Sequence, residues 1–304
     1  MIPAGPEQAF VFGCEAERLI GILHPPGEGA PESTTTTGVV VVVGGPQYRG
    51  GSHRQFVHLA RALAMAGHPV WRFDARGMGD STGVLRNFEH LSPDIGAAID
   101  ALLQHQPQVR QVVLWGLCDG ASAALLYMHD RADPRVRGLC LLNPWVRSDA
   151  SLARTHVKHY YTRRLRQREF WHKLLSGQVA GAALRGLVSN LQAARRAPGA
   201  AVSAPFQARM AAAWIALRGE VMLVLSGNDY TAKEFMEFTA ADPVWREALL
   251  QPNVRRCELP RADHTCSDRA SHRDMEAAIL QWLTALGGGP SAADGSKLEK
   301  LNET

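Results

Sequence analysis

The chain alternates short apolar runs with longer segments of helical periodicity. Residues 39–43 and 136–142 are apolar at almost every position, which is typical of parallel strands covered on both faces. Polar and glycine-rich turns bound six further runs of strand character, at residues 8–12, 18–23, 70–73, 112–115, 221–225 and 254–259. The first two of these six are close enough in sequence to form a hairpin.

Helical periodicity occupies the intervals between the strands. Helices are predicted at residues 53–66, 91–103, 232–239 and 273–286, and another begins near Gly120. Strands that alternate with helices predict an α/β fold with a doubly wound, mostly parallel sheet and right-handed crossovers.

The alternation stops between residues 145 and 217, where helix-like segments occur and no good strand is found. We predict that this stretch is a helical cap, inserted after about the sixth strand and placed over the carboxyl ends of the strands. The core then comprises residues 1–144 and 218–286. The polar segment 287–304 follows a Gly-Gly-Gly-Pro break and is expected to be disordered.

The predicted cap is strongly basic, because Asp149 and Glu169 are its only acidic residues. Its cations would suit phosphate or carboxylate groups, so an anionic substrate is one interpretation. A solvated helix face, or contact with an anionic membrane surface, is the other. The basic residues are Arg147, Arg154, Lys158, Arg163, Arg164, Arg166, Arg168, Lys173, Arg185, Arg195, Arg196 and Arg209.

Composition narrows the class of protein. With 304 residues and 46% hydrophobic content, the chain can bury a full core, either as one α/β domain with an insertion or as two small domains. A net charge of +4 does not favour nucleic acid as a partner. Five scattered cysteines without a C-x-x-C pair argue against disulfides and zinc and suit a reducing compartment. Without a signal peptide or a long apolar run, a cytoplasmic protein is expected. No ligand cluster and no G-x-G-x-x-G between a strand and a helix is found, so no metal or redox cofactor is expected.

Candidate chemistry centres on Cys118, in Gly116-x-Cys118-x-Gly120 between a strand and a helix. This is the context of a G-x-S-x-G nucleophile elbow, with sulfur in place of oxygen. The turn is so tight that a Cβ at either glycine would collide with the neighbouring helix or strand. A cysteine at a helix N-terminus favours the reactive thiolate. The alternative interpretation is a buried structural cysteine beside a helix-packing glycine.

Two further residues follow strands in the order expected of a catalytic triad. Asp229 comes after the strand at 221–225, and His264 comes after the last strand. We expect His264 to take the Cys118 proton, or to form an ion pair with the thiolate, and later to activate water. Asp229 would fix the imidazole tautomer. Asp263 is a competing acid, but adjacent side chains seldom point the same way.

An oxyanion hole needs backbone donors. We predict the N–H groups of Asp119 and Gly45, because glycines at this loop permit a close approach and Pro46 has no N–H to offer. Tyr48 and Arg49 would line the mouth of the site as substrate-binding residues.

These motifs resemble the α/β-hydrolase superfamily, and the resemblance extends over nearly the whole chain. It rests on Gly44-Gly45, Asp74-x-Arg76-Gly77-x-Gly79-x-Ser81, Gly116-x-Cys118-x-Gly120, Gly227-x-Asp229 and Asp263-His264. More narrowly, residues 44–56, Gly116-Leu117-Cys118-Asp119 and the segment 160–165 resemble the exosortase A system-associated hydrolase 1 family. That family is encoded beside bacterial exopolysaccharide and protein-sorting genes. The resemblance implies a cysteine hydrolase on an α/β-hydrolase fold, without naming the bond it cleaves.

Three functions are compatible with these residues. The first is hydrolysis of an ester or thioester through an S-acyl-Cys118 intermediate, with a small-molecule acyl donor that could be linked to CoA or to a carrier protein. The second is an acyltransferase that passes the acyl group to a sugar or another alcohol. The third is a non-catalytic binding module, which the presence of all three triad residue types disfavours. The oligomeric state is left open.

Overall fold

The computed structural model describes residues 6–31, 35–45, 47–147 and 204–287. Their strands form one eight-stranded sheet in the order β1-β2-β4-β3-β5-β6-β7-β8. The bounds are β1 Gln8–Cys14, β2 Glu17–His24, β3 Thr37–Val42, β4 Val70–Phe73, β5 Gln111–Leu117, β6 Val136–Leu142, β7 Glu220–Ser226 and β8 Val254–Leu259.

The sheet has an antiparallel edge and a parallel body. β1 pairs antiparallel with β2, and β2 pairs antiparallel with β4. Every other neighbouring pair, from β4–β3 to β7–β8, is parallel. The carboxyl ends of β3 to β8 therefore meet at one edge of the sheet. This is the α/β-hydrolase fold, and the predicted fold class is confirmed.

Helices cover the sheet in two groups. α1 contacts α7, whereas α2, α3 and α4 contact one another in succession and α6 packs on α4. Since the central strand β3 is buried at all its positions, the two groups lie on opposite faces. The bounds are α1 Gln55–Met65, α2 Ser92–His105, α3 Asp119–Arg131, α4 Phe206–Ala216, α5 Tyr230–Ala241, α6 Pro243–Leu249 and α7 Arg269–Gly287. Short 3-10 turns cover Ser52–Arg54 and Phe88–His90.

The helix α4 belongs to the core and not to the predicted cap. Met210 and Trp214 are fully buried, and the Trp214 ring packs edge-on against Trp245 of α6. The second part of the core thus begins at Phe206 and not at Arg218. Residues 148–203 of the predicted cap, and the predicted tail beyond residue 287, lie outside the described residues.

The short helix α6 was not predicted, although its start has a recognisable signal. The Asp242 side chain accepts hydrogen bonds from the N–H groups of Val244 and Trp245, and Pro243 occupies the first turn. Within the described part of the chain, no helix has the length and apolar character needed to cross a membrane.

Candidate active site

A sharp turn joins β5 to α3 and holds Cys118 at its apex. Cys118 has φ 59° and ψ −124°, a conformation that a residue with a Cβ rarely adopts. A Cβ at Gly116 would lie 2.5 Å from the Gly120 carbonyl, and a Cβ at Gly120 would lie 2.5 Å from the Val42 carbonyl oxygen. The predicted steric need for both glycines is confirmed.

The backbone of Cys118 is tied to the neighbouring strand. Its N–H donates to the Leu142 carbonyl at 2.9 Å, and its carbonyl accepts from the Trp145 N–H at 3.2 Å. Its side chain is half-buried. Ser122, one turn further along α3, is buried and donates its hydroxyl to the Trp145 carbonyl at 2.6 Å. The Ser122 hydroxyl is therefore engaged in holding the segment after β6 against α3.

The structure brings Asp229 and His264 together. His264 Nδ1 lies 2.9 Å from Asp229 Oδ2. Asp229 also caps α5, because its carboxylate accepts from the Thr231 N–H at 3.1 Å and the Ala232 N–H at 3.3 Å. Burial would raise the pKa of Asp229, but the hydrogen bond from His264 and these backbone donors lower it below its ordinary value. Asp229 is thus held as a carboxylate that faces the imidazole.

The protonated form of His264 is favoured. The hydrogen bond to Asp229, and next the hydrogen bond to Cys118, raise the pKa of His264 from 6.5 to about 10 against the opposing effect of burial. His264 is therefore hydrogen-bonded to Asp229 and lies close enough to Cys118 for the thiol to influence the pKa of the imidazole. A protonated His264 held by Asp229 can give a proton to a leaving group.

Asp263 is engaged within its own turn. Its carboxylate accepts from the Thr265 N–H at 3.1 Å and from the Ser267 N–H at 2.9 Å, and the Ser267 hydroxyl also donates to it. These bonds hold the turn that follows His264. They engage the carboxylate of Asp263, which the sequence analysis named as a competing acid.

Asn143 is a contributor to the site that the sequence analysis did not identify. It follows β6, is fully buried and has a left-handed backbone with φ 48°. Its side-chain oxygen accepts from the Ser226 N–H at 2.8 Å, and its amide donates to the Ser226 hydroxyl at 3.0 Å and to the His264 carbonyl at 3.4 Å. Asn143 thereby joins the end of β7, which leads to Asp229, to the loop that carries His264. An asparagine at the end of a strand next to the nucleophile strand was the available signal.

The predicted oxyanion hole has an unexpected occupant. The N–H of Gly45 donates to Asp119 Oδ2 at 2.7 Å, so in this structure it is bonded to a side chain of the protein itself. Gly45 has φ 59°, in the left-handed region that glycine adopts without strain. The sequence analysis assigned only the backbone of Asp119 to the hole and gave no role to its carboxylate.

Tyr48 and Arg49 differ in their availability. The Tyr48 side chain is 50% exposed. The Arg49 guanidinium pairs with buried Asp74 and, at 2.8 Å, with Asp80, while the Arg49 N–H donates to Asp74 at 2.6 Å. Arg49 thus fastens the loop after β3 to the loop after β4. The charge that was predicted to bind substrate is neutralised inside the protein.

Comparison with known families gives one match. The model of the hydrolase family described as serine aminopeptidase, S33, matches residues 34–197, which is more than half of the 304 residues. The matched segment contains Cys118 and ends before Asp229 and His264. No curated protein matches the sequence.

Solved structures share the fold at low sequence identity. The esterase Pf2001 of Pyrococcus furiosus is 15% identical, with 93% of this chain and 94% of that chain covered and a TM-score of 0.61. Est1E from Butyrivibrio proteoclasticus, solved with ferulic acid bound, is 15% identical over 91% and 99% of the two chains, with a TM-score of 0.59. An alpha-beta serine hydrolase homologue from Coxiella burnetii is 16% identical over 91% and 97%, with a TM-score of 0.56.

Proposed function

The chain belongs to the serine aminopeptidase, S33, family of α/β hydrolases, and from this membership we propose that it cleaves an ester or thioester with Cys118 as nucleophile. The observation that carries the proposal is the hydrogen bond of His264 to Asp229 at the carboxyl edge of the parallel strands, together with the pKa of His264, which Asp229 and next Cys118 raise. Nucleophile, acid and histidine follow β5, β7 and β8, in the chain order of α/β hydrolases.

The proposed reaction has two steps. The Cys118 thiolate attacks the acyl carbonyl, and the His264 imidazolium gives its proton to the departing alcohol or thiol, which leaves an S-acyl enzyme and a neutral imidazole. Neutral His264 then takes a proton from water, and the resulting hydroxide attacks the thioester. The Cys118 sulfur departs as thiolate, the carboxylic acid leaves, and the ion pair with His264 is restored.

Sulfur in place of the family's serine bears on the substrate. An S-acyl enzyme is itself a thioester, so it lies close in free energy to acyl donors linked to CoA or to a carrier protein. A thiolate already paired with an imidazolium also needs no base at the moment of attack. Esters and thioesters are therefore the bonds that this site suits best. As part of the same proposal, the motif at residues 44–56 supports a place beside the exosortase-associated hydrolases of exopolysaccharide systems.

Intact-protein mass spectrometry after brief mixing with acyl donors tests the proposal. The donors are activated acyl esters, acyl-CoAs of several lengths and aminoacyl amides, the last because of the family's description. We expect an adduct on Cys118 that decays in water. Cys118→Ala should form none and should lose about a thousandfold or more of the turnover, as removal of a triad nucleophile does. His264→Ala should lose nearly as much.

Cys257→Ala is the matched control, because Cys257 is also half-buried and free. It should form the same adduct as the wild type. Wild-type turnover in Cys118→Ala on a true substrate would disprove the mechanism. An adduct that persists until an alcohol or sugar is added would replace the hydrolase by an acyltransferase, and an adduct from aminoacyl amides alone would replace it by a peptidase.

A further inference from the structure

The carboxylate of Asp119 lies among the backbone donors that an oxyanion would use. Its Oδ2 accepts the Gly45 N–H at 2.7 Å. Burial raises the pKa of Asp119, while hydrogen bonds from the N–H groups of Gly45, Asp119 itself and Gly120 act in the opposite direction. The donor that holds this carboxylate is therefore one of the two N–H groups that the sequence assigned to the oxyanion hole.

The loop after β3 fits closely onto this carboxylate. A Cβ at Gly44 would lie 1.9 Å from Asp119 Oδ1 and 2.3 Å from the Gly120 nitrogen, so only glycine can stand there. Burial leaves the pKa of Asp119 above its ordinary value, although the first turn of α3 and the positive charge of His264 both act in favour of the charged form. A carboxyl group of the protein thus occupies the Gly45 N–H, which the sequence assigned to the place where negative charge develops in acyl transfer.

We propose that Asp119 is a specificity-determining residue, whose carboxylate occupies the oxyanion hole of the free enzyme and rejects acyl groups that carry negative charge next to the scissile carbonyl. The carbonyl oxygen of a substrate can accept the hydrogen bond of the Gly45 N–H only when the Asp119 carboxylate no longer accepts it. The released carboxylate then needs another donor, since an unpaired charge beside a closed site is costly. A hydroxyl or amino group next to the carbonyl supplies that donor, so 2-hydroxyacyl and 2-aminoacyl groups are the favoured class. This inference deepens the proposed function and rests on Cys118 as its nucleophile.

Alkylation of Cys118 tests the charge selection without any hydrolysis. Iodoacetamide and iodoacetate deliver groups of nearly the same size to the same sulfur, one neutral and one anionic. The ratio of their rates at Cys118, followed by mass spectrometry of the modified peptide, reports the charge beside the thiol and cancels changes in the thiol itself. In the wild type we expect iodoacetamide to be strongly preferred. In Asp119→Asn, which keeps an acceptor for Gly45, the ratio should shift towards iodoacetate by tenfold or more.

Asp100→Asn is the matched control, because Asp100 is an exposed carboxylate that pairs with Arg135 just before β6, at the opposite edge of the sheet. Its ratio should equal that of the wild type. An unchanged ratio in Asp119→Asn, or an equal shift in Asp100→Asn, would overturn the inference. If Asp119→Asn does not fold by circular dichroism, Asp119→Ser carries the same test.

Acylation distinguishes a failure of this inference from a failure of the proposed function. With matched thioesters, Asp119→Asn should narrow the preference for 2-hydroxyacyl over 2-carboxyacyl donors by tenfold or more, and an unchanged preference would count against the role of Asp119. If no donor acylates the wild type, the hydrolase proposal fails, and the alkylation ratio still decides whether Asp119 places its charge beside Cys118.

Discussion

The protonation of His264 depends first on Asp229. Because the folded protein raises the pKa of His264 from 6.5 to about 10, the protonated imidazole stabilises the fold fully below pH 6.5. That stabilisation is lost as the pH rises from 6.5 to about 10. The same titration removes the acid that protonates a leaving group, so acylation by a donor that needs this proton should decline near its upper end.

Replacement of Asp229 by asparagine should move that decline. Asp229→Asn removes the largest contribution to the raised pKa of His264, and nearby opposite charges shift such values by about one to three units. We expect the alkaline limb of acylation by an ethyl ester to move down by a similar amount, measured as adduct formation over pH 6 to 10.5. Asp263→Asn, which removes the adjacent carboxylate, should leave the limb in place. If the alkaline limb of acylation does not move in Asp229→Asn, the ion pair between His264 and Asp229 is contradicted.

The candidate site residues could be predicted from the sequence where the path of the backbone alone brings them together. Cys118, Asp229 and His264 each follow a parallel strand, and the carboxyl ends of such strands meet whatever the side chains do. Gly45 and Arg49 were different. Their partners, Asp119 and Asp74, come from loops distant in sequence, and which of several acceptors a donor meets depends on side-chain rotamers. The position of Asn143 at the end of β6 was the only signal, and its bonds to Ser226 of β7 and to His264 follow only from the folded structure.

At the scale of elements, apolar runs located the strands and fixed the fold class. The predicted strands agree with the observed ones to within two residues, because buried parallel strands require continuous apolar character. The helix α6 was not predicted because its seven residues are too few to show a helical periodicity of apolar positions. α4 was assigned to the cap because the sequence before it has helix-like patterns and no good strand. Sequence alone does not say that Trp214 packs against Trp245.

A side chain added at Gly116 should destabilise the tight turn between β5 and α3. In Gly116→Ala the new Cβ would lie 2.5 Å from the Gly120 carbonyl, so α3 must shift, and we expect a loss of roughly 1–3 kcal/mol in the free energy of unfolding. Urea denaturation measures it. Gly96→Ala is the matched control, because its Cβ would meet only the Tyr127 ring at 3.6 Å and alanine favours a helix such as α2. Equal stability of the two variants would show that the turn tolerates a side chain.

At the scale of the whole molecule, the two parts of the core contact each other at the residues that flank the predicted cap in sequence. The side-chain amide of Gln207 in α4 donates to the Val146 carbonyl at 3.0 Å, and both residues are buried. Phe206 also packs edge-on against Phe88. The core residues on the two sides of the predicted cap are thus joined by contacts within the core itself.

Excision of residues 148–203 should therefore leave a folded core. With a short glycine–serine linker in their place, the circular dichroism and the cooperativity of thermal unfolding should match those of a packed α/β domain.

The excised segment holds most of the basic residues of the predicted cap, so the activities of the full chain and of the excised form should respond differently to salt. We expect kcat/KM of the full chain for an acyl-CoA to fall between about 50 and 300 mM salt, where screening shortens the reach of surface charges. The excised form should lose this dependence, while a small neutral ester is insensitive to salt in both. A core that does not fold would mean that the segment supplies necessary contacts, and a salt response that survives excision would place the anion-binding charges in the core itself.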